Sequence, residues 1–292
     1  MSGVTIEPVK EHIGGIVRVD RDKICDDETV AACREALETR GVLVFPQVNL
    51  SDAEQLAFTD KFGERVKFTG TVPGGEGDSE ELYKITLDKK INAEPDYVYG
   101  TWFWHMDGVT IDQPLPKATF LSARALSATG GQTQFCSTYA GYAMLSPEER
   151  AEIDDLQVIH RLEASMRVIY RQMPAERLER YRGMAKEMVQ PLVWKHKSGR
   201  RSLVLGTHAD EVIGMSYADG HALLTRLMEW TAQPDFSYSH EWQEGDFVMW
   251  DNCGCMHRVV PYDADSGRMM HRTTIYGEEK PGYALDTELE SA

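Results

Sequence analysis

Three side chains in the 292-residue sequence have the types and the setting of a metal site. His105 and Asp107 stand in Trp102-Phe-Trp-His105-Met-Asp107-Gly108, and His257 closes Met249-Trp250-Asp251-Asn252-Cys253-Gly254-Cys255-Met256-His257. On extended backbone, side chains alternate between two faces, so His105 and Asp107 would project from the same one. Two N/O ligands on one face, completed by a third from elsewhere, begin a facial metal site. A 2-His-1-carboxylate set with open positions suits oxygen chemistry at non-haem Fe(II). The dyad alone does not separate this from a solvated or core-satisfied histidine, because His-x-Asp recurs by chance.

Composition narrows the field. Apolar residues make up 42% of the chain and the formal net charge is −16. The first supplies a substantial core; the second argues against nucleic acid or an anionic membrane as partner, since both need a basic face. A small anionic substrate stays open, because one arginine can dominate a pocket. Five cysteines (Cys25, Cys33, Cys136, Cys253, Cys255), without paired C-x-x-C spacing, fit a reduced cytoplasmic chain better than a disulfide scaffold. The N-terminal stretch has neither a basic nor an apolar leader region, and no apolar run approaches the ~18 residues that span a membrane.

The elements that must position these residues are mostly short strands. Gly15–Val19, Gly41–Phe45, Ala118–Arg124, Val158–His160, Phe236–Trp242, Phe247–Trp250, Met256–Pro261 and Met269–Tyr276 read as strands, and Val189–Trp194 with Ser202–Leu205 as a hairpin turning at Lys197–Arg200. Helices are expected over Asp27–Thr39, from the capping box Ser51-Asp-Ala-Glu54 to about Gly63, and over Thr138–Leu145 and Pro147–Leu156. Two more are expected over Ala175–Met188 and Tyr217–Thr231. Ala164–Met173 is ambiguous, and the glycine- and acid-rich stretch 67–81 reads as a loop, either a lid or plain surface. Short strands with a few interposed helices predict a barrel or double-sheet jelly roll in a single domain, 1–292.

Five signatures then point to a family: Trp104-His105-Met-Asp107, Gly130-Gly131-Gln-Thr133, His196-Lys-Ser-Gly-Arg-Arg-Ser-Leu203, Trp250-Asp251-Asn252 with His257, and Arg268-Met-Met-His-Arg272-Thr. In this order and spacing the chain resembles the Fe(II)/2-oxoglutarate dioxygenases of the taurine dioxygenase and aryloxyalkanoate herbicide dioxygenase family, from Gly41 through Gly277. The resemblance implies a mainly β fold with flanking helices (α+β), the double-stranded β-helix or jelly roll of clavaminate synthase-like enzymes. It implies His105, Asp107 and His257 as iron ligands, and 2-oxoglutarate and O2 as co-substrates. Asp107 disfavours halogenation, for which related enzymes replace this acid by a small residue.

Arg268, eleven residues beyond His257, matches the arginine that pairs with the distal carboxylate of 2-oxoglutarate, and Thr133 the threonine that bonds the same group. A guanidinium fork binds a carboxylate bidentately, which lysine cannot do. Trp250 is expected beside the co-substrate or in the core. Arg272, four residues past Arg268 and on the same side of an extended strand, matches the arginine that grips the acidic group of the prime substrate. Trp102, Phe103, Trp104, Phe68 and Tyr99 are candidates for an apolar pocket or ordinary core, and Val109 for a substrate contact. Residues 66–101 contain no histidine, where the taurine-specific relatives use one, so taurine itself is disfavoured. His160, His196, His208, His221 and His271 read as structural or surface histidines, Cys253 and Cys255 as packing, and Asp251 and Asn252 as turn residues.

The implied reaction hydroxylates a small organic acid, with oxidative cleavage where the hydroxylated carbon bears a heteroatom, and releases CO2 and succinate. Alternatives are a biosynthetic hydroxylase or desaturase of the same family, or a non-catalytic jelly-roll metal-binding protein. The family habit also implies a homo-oligomer.

Overall fold

Alternation inside short apolar runs builds the centre of the molecule, described here by a computed structural model over residues 3–67, 82–92, 96–170 and 174–284. In Val42–Phe45, Val42 and Val44 face one side, Leu43 and Phe45 the other, and all four are buried. Phe247–Asp251 splits the same way: Val248 and Trp250 join Val42, while Phe247 and Met249 join Leu43. A strand covered on both faces reads as a continuous apolar run, which is why these segments show no polar alternation.

The main sheet orders Thr5–Pro8, Gly15–Arg18, Val42–Phe45, Phe247–Asp251, Ala118–Ala125, Met269–Ile275 and Tyr83–Ile85. Its pairings are antiparallel except that between Gly15–Arg18 and Val42–Phe45. A second sheet orders Ser237–His240, Thr133–Ser137 and Cys255–Val259. Between the two, Val42, Val44, Leu121, Val248, Trp250 and Met270 meet Phe135 and Cys255. The framework is completed by the strands Ala209–Val212, Gln157–His160, Met188–Pro191 and Tyr283–Ala284, and by the hairpin Val193–Lys195 with Arg201–Leu203. This is the expected jelly roll, with helices Asp27–Arg40 and Asp52–Asp60 covering the outer face of the main sheet through Val30, Cys33, Leu37 and Phe58.

Local chemistry sets the helix starts. Ser51 and Ser146 each form a capping box, with Glu54 and Glu149 respectively. Tyr217–Thr231 begins at Ser216, whose side chain accepts from the Asp219 amide. The charged helix runs only over Ala175–Met184, short of the expected Met188. Met188 and Val189 are buried instead as strand residues opposite His160 and Ile159, so sheet pairing overrides helix propensity there. A short helix, Leu162–Arg167, begins two residues before the ambiguous stretch Ala164–Met173 and covers its start, pinned by ion pairs from Arg161 and Arg167 to the buried Asp210. Phe236 closes a 3₁₀ turn before the strand Ser237–His240. The stretch 68–81, with Phe68, lies outside the described residues. Among the described residues no helix is long and apolar enough to cross a membrane, and all five cysteines are free thiols.

His160 carries a stability prediction. It is fully buried, neither ring nitrogen has a hydrogen-bond partner among the described residues, and burial pushes its pKa down to about 3. The unfolded chain therefore takes up this proton as pH falls through ~6.5, the folded chain only near 3, so stability is lost with acid across that window. The contribution amounts to about 2 kcal/mol lost between pH 7.5 and pH 5. Urea unfolding of His160→Leu is expected to lose about that much less than the native sequence over the same interval. Equal pH dependence in the two proteins would contradict it.

Candidate metal centre and its pocket

His105 and His257, far apart in sequence, are brought together by a reciprocal backbone pair. The His105 amide donates to the His257 carbonyl at 3.1 Å and the His257 amide to the His105 carbonyl at 2.9 Å. The imidazole centroids lie 4.1 Å apart. Close approach of chain to chain is needed here, and Gly206 allows it: a Cβ at Gly206 would stand 3.0 Å from the His105 Cα. Met106 is buried in the core, so its two neighbours face the other way. His105 forms only an isolated bridge rather than part of a strand, and Asp107 begins a turn, yet the alternation that puts them together survives.

One carboxylate oxygen, Asp107 Oδ1, lies 3.9 Å from His105 Nε2 and 3.9 Å from His257 Nε2. The ligand atoms of the three residues all lie within 4.8 Å of one another. His105 Nδ1 stands 2.8 Å from the Phe103 carbonyl, which can only accept, so the proton sits on Nδ1 and the Nε2 lone pair is free for a metal. Burial lowers the pKa of both imidazoles, that of His257 to about 3, so both are neutral ligands at neutral pH. Burial opposes the charge on Asp107, but His257, Arg272, His105 and the Thr119 hydroxyl outweigh it and hold the carboxyl at about 2. Two neutral imidazoles and one carboxylate aimed at one point fit a divalent iron ion. Trp250 is buried, its ring 4.8 Å from that of His257 and 5.4 Å from that of Phe135.

Arg268 is 2% exposed, with no carboxylate partner among the described residues. Burial lowers its pKa, its Nη2 donates to the Gly131 carbonyl at 3.1 Å, its Nε has no partner among the described residues, and its guanidinium lies 4.8 Å from the Tyr262 ring centroid. A buried cation without a counter-ion is costly unless an anion joins it, which fits the distal carboxylate of a dicarboxylate co-substrate. Gly131 makes room: at φ +81°, a Cβ there would sit 3.0 Å from Arg268 Nε. Thr133 begins the next strand two residues on, buried, its hydroxyl accepting from Trp242 Nε1 at 2.9 Å.

Arg272 Nη1 lies 3.9 Å from Asp107 Oδ2, on the wall of a cavity of ≈ 60 Å³ that also exposes His105, His208, Leu162 and Met166. Two expected contacts fall elsewhere. The Val109 side chain is 1% exposed and packs in the core, leaving its carbonyl to accept from Gln190. Trp102 packs on Tyr99 and Tyr262, backing Arg268 rather than the cavity beside Asp107. Trp104 lies under the Arg258 guanidinium. In the other direction, His208, read from sequence as structural, stands in the pocket wall with its ring 6.3 Å from that of His105. Leu162 and Met166 come from the short helix Leu162–Arg167, which overlaps the ambiguous stretch Ala164–Met173. Only three-dimensional proximity singles these out; no spacing in the chain does.

The model of the family described as Taurine catabolism dioxygenase TauD, TfdA family matches residues 5–274. The chain is 30% identical to an (S)-phenoxypropionate/alpha-ketoglutarate-dioxygenase of Sphingobium herbicidovorans over 96% of its length and 97% of the relative's. It is 32% identical to an alpha-ketoglutarate-dependent 2,4-dichlorophenoxyacetate dioxygenase of a Burkholderia species, over 82% and 83% respectively. The crystal structure of AAD-2 in complex with Mn(II) and N-oxalylglycine superposes with a TM-score of 0.78 at 31% identity, covering 95% of this chain and 99% of that one.

Proposed function

The chain belongs to the taurine catabolism dioxygenase TauD, TfdA family, and we propose that it hydroxylates a small organic acid whose anionic group docks on Arg272. It is a 2-oxoglutarate-dependent non-haem iron dioxygenase, using Fe(II), 2-oxoglutarate and O2. The observation that carries the substrate reading is the Arg272 guanidinium, 3.9 Å from Asp107 in the wall of the pocket beside the metal ligands.

His105, Asp107 and His257 would hold the iron, which when bound supplies O2 activation coupled to the conversion of 2-oxoglutarate to succinate and CO2. Arg268 and Thr133 bind and orient the co-substrate's distal carboxylate, with Trp250 packed behind His257. Arg272 fixes the acid end of the prime substrate, so that a C–H rather than the carboxylate is presented to the metal side. Leu162 and Met166 supply apolar wall and exclude water from the reacting end. Where the hydroxylated carbon bears a heteroatom, the product collapses and that bond cleaves. The phenoxy acids that name two relatives support an acid of this type. Residues 1–292 are read as one catalytic domain, with no nucleic acid or membrane partner. Five free thiols suit a reducing cytoplasm, and a homo-oligomer accords with family habit.

The test is substrate-dependent succinate release across aryloxyalkanoates, alkyl sulfates, sulfonates and amino acids, repeated with Arg272→Ala. Truncating one member of a desolvated charge pair costs about 2–5 kcal/mol, so kcat/KM for the best acid should fall at least ~30-fold while 2-oxoglutarate affinity stays within about threefold. Collapse of 2-oxoglutarate binding in that variant would reassign Arg272 to the co-substrate.

A further inference from the structure

The hydrogen bonds behind Asp107 have a direction. Asn252 Nδ2 lies 2.9 Å from Thr119 Oγ1, and Thr119 Oγ1 lies 3.2 Å from Asp107 Oδ2. Asn252 and Thr119 are both fully buried. An amide NH2 can only donate, so the Thr119 oxygen accepts there and its single proton must go elsewhere. Two acceptors are in reach, Asp107 Oδ2 at 3.2 Å and Thr274 Oγ1 at 3.4 Å. A carboxylate is the stronger acceptor, so the proton goes to Oδ2.

The frame that holds this relay is rigid. Thr119 lies in the main sheet between Trp250 and Thr274 on the two flanking strands. The Asn252 amide donates to the Lys117 carbonyl at 3.0 Å. Next to it, the buried Asp251 accepts from the Cys253 amide at 3.1 Å and pairs with Lys117 Nζ at 3.2 Å, pinning the turn from which Asn252 projects.

We propose that Thr119, oriented by Asn252, is a positioning residue that occupies Asp107 Oδ2 and leaves Oδ1 as the only ligand atom of that carboxylate. This rests on the iron-site reading above and extends it: the acid would hold the metal through one oxygen, leaving free what a bidentate carboxylate would occupy. The same bond restrains the carboxylate from swinging toward Arg272, whose Nη1 lies 3.9 Å from Oδ2. Thr119 therefore keeps the two functions of the pocket, metal ligation and substrate-anion binding, from collapsing onto each other.

The experiment measures the Mn(II) dissociation constant of the ligand-free protein, and the visible absorption of the anaerobic Fe(II)–2-oxoglutarate complex, in the native sequence and three variants. Thr119→Val keeps the shape and removes the hydroxyl. Thr119→Ser keeps the hydroxyl. Asn252→Asp replaces the donor by an acceptor that draws the Thr119 proton away from Asp107. Loss of a group that orients a metal ligand costs about 10–100-fold in metal affinity, and that loss, with a shifted absorption band, is expected for Thr119→Val and Asn252→Asp. Thr119→Ser should stay within about threefold of native, a rescue that a purely packing role of the threonine would not give. Native-like affinity in Thr119→Val or Asn252→Asp, or an equal loss in Thr119→Ser, overturns the proposal. Should Thr119→Val fail to fold, Asn252→Asp decides on the same criterion. Failure of the native protein itself to bind Mn(II) would instead overturn the iron-site reading, which keeps the two failures distinct.

Discussion

Replacing Arg268 by methionine will abolish 2-oxoglutarate-dependent turnover while making the ligand-free protein more stable. The two effects have one cause. Arg268 is 2% exposed, faces no carboxylate among the described residues and leaves its Nε unpaired. Such a charge is held at a cost that the Gly131 carbonyl and the Tyr262 ring offset in part and an incoming anion offsets further. A methionine of similar reach removes the cost, so the ligand-free protein should gain about 1–3 kcal/mol, or roughly 2–5 °C in Tm for a chain of this size. The same substitution removes the bidentate partner of the co-substrate, and 2-oxoglutarate affinity should fall by about two decades or more, ~3 kcal/mol. Arg268→Lys keeps the charge without the fork and should fall between. Calorimetry of the apo-protein and 2-oxoglutarate titration of the metal-loaded one check both halves. A destabilised apo-variant would mean that the guanidinium is structural.

Asp107→Asn is the second large effect. It preserves the shape of the side chain but removes the only carboxylate among the three ligands, the one whose Oδ1 faces both imidazoles at 3.9 Å. With the charge gone, two neutral imidazoles remain, and Arg272 adds a cation 3.9 Å away that now opposes a divalent metal. Metal affinity should drop by at least two decades, about 3 kcal/mol, with turnover lost in proportion. The fold should survive, because asparagine keeps the shape of the side chain and an oxygen that can still accept from the Thr119 hydroxyl.

What could be read from the sequence, and what could not, follows from the range of the interactions concerned. His105, Asp107 and His257 were legible because ligand chemistry restricts residue type and a two-residue spacing places side chains on one face, even where the backbone proves to be a bridge and a turn. Val42–Phe45 and Phe247–Asp251 were legible as strands because both of their faces are buried. The capping boxes at Ser51 and Ser146 are local hydrogen bonds and were visible as such. Thr119 was not singled out: its role depends on the register that sets it beside Asn252 and Asp107, residues distant in the chain. His208 looked like any core histidine until the fold placed its ring 6.3 Å from that of His105. Val109 and Trp102 show the converse, since sequence proximity to the ligands did not put either side chain in the cavity beside Asp107.

If His105, Asp107 and His257 hold an Fe(II) that 2-oxoglutarate joins, with Arg268 receiving its far end, the complex has a spectroscopic signature. Anaerobic addition of Fe(II) and then 2-oxoglutarate to the purified protein tests it in one titration. The expected result is a weak, broad visible absorption that appears only with both components, saturates at one 2-oxoglutarate per chain and is missing in Asp107→Asn. A folded, metal-loaded native sample that develops no such band would contradict it.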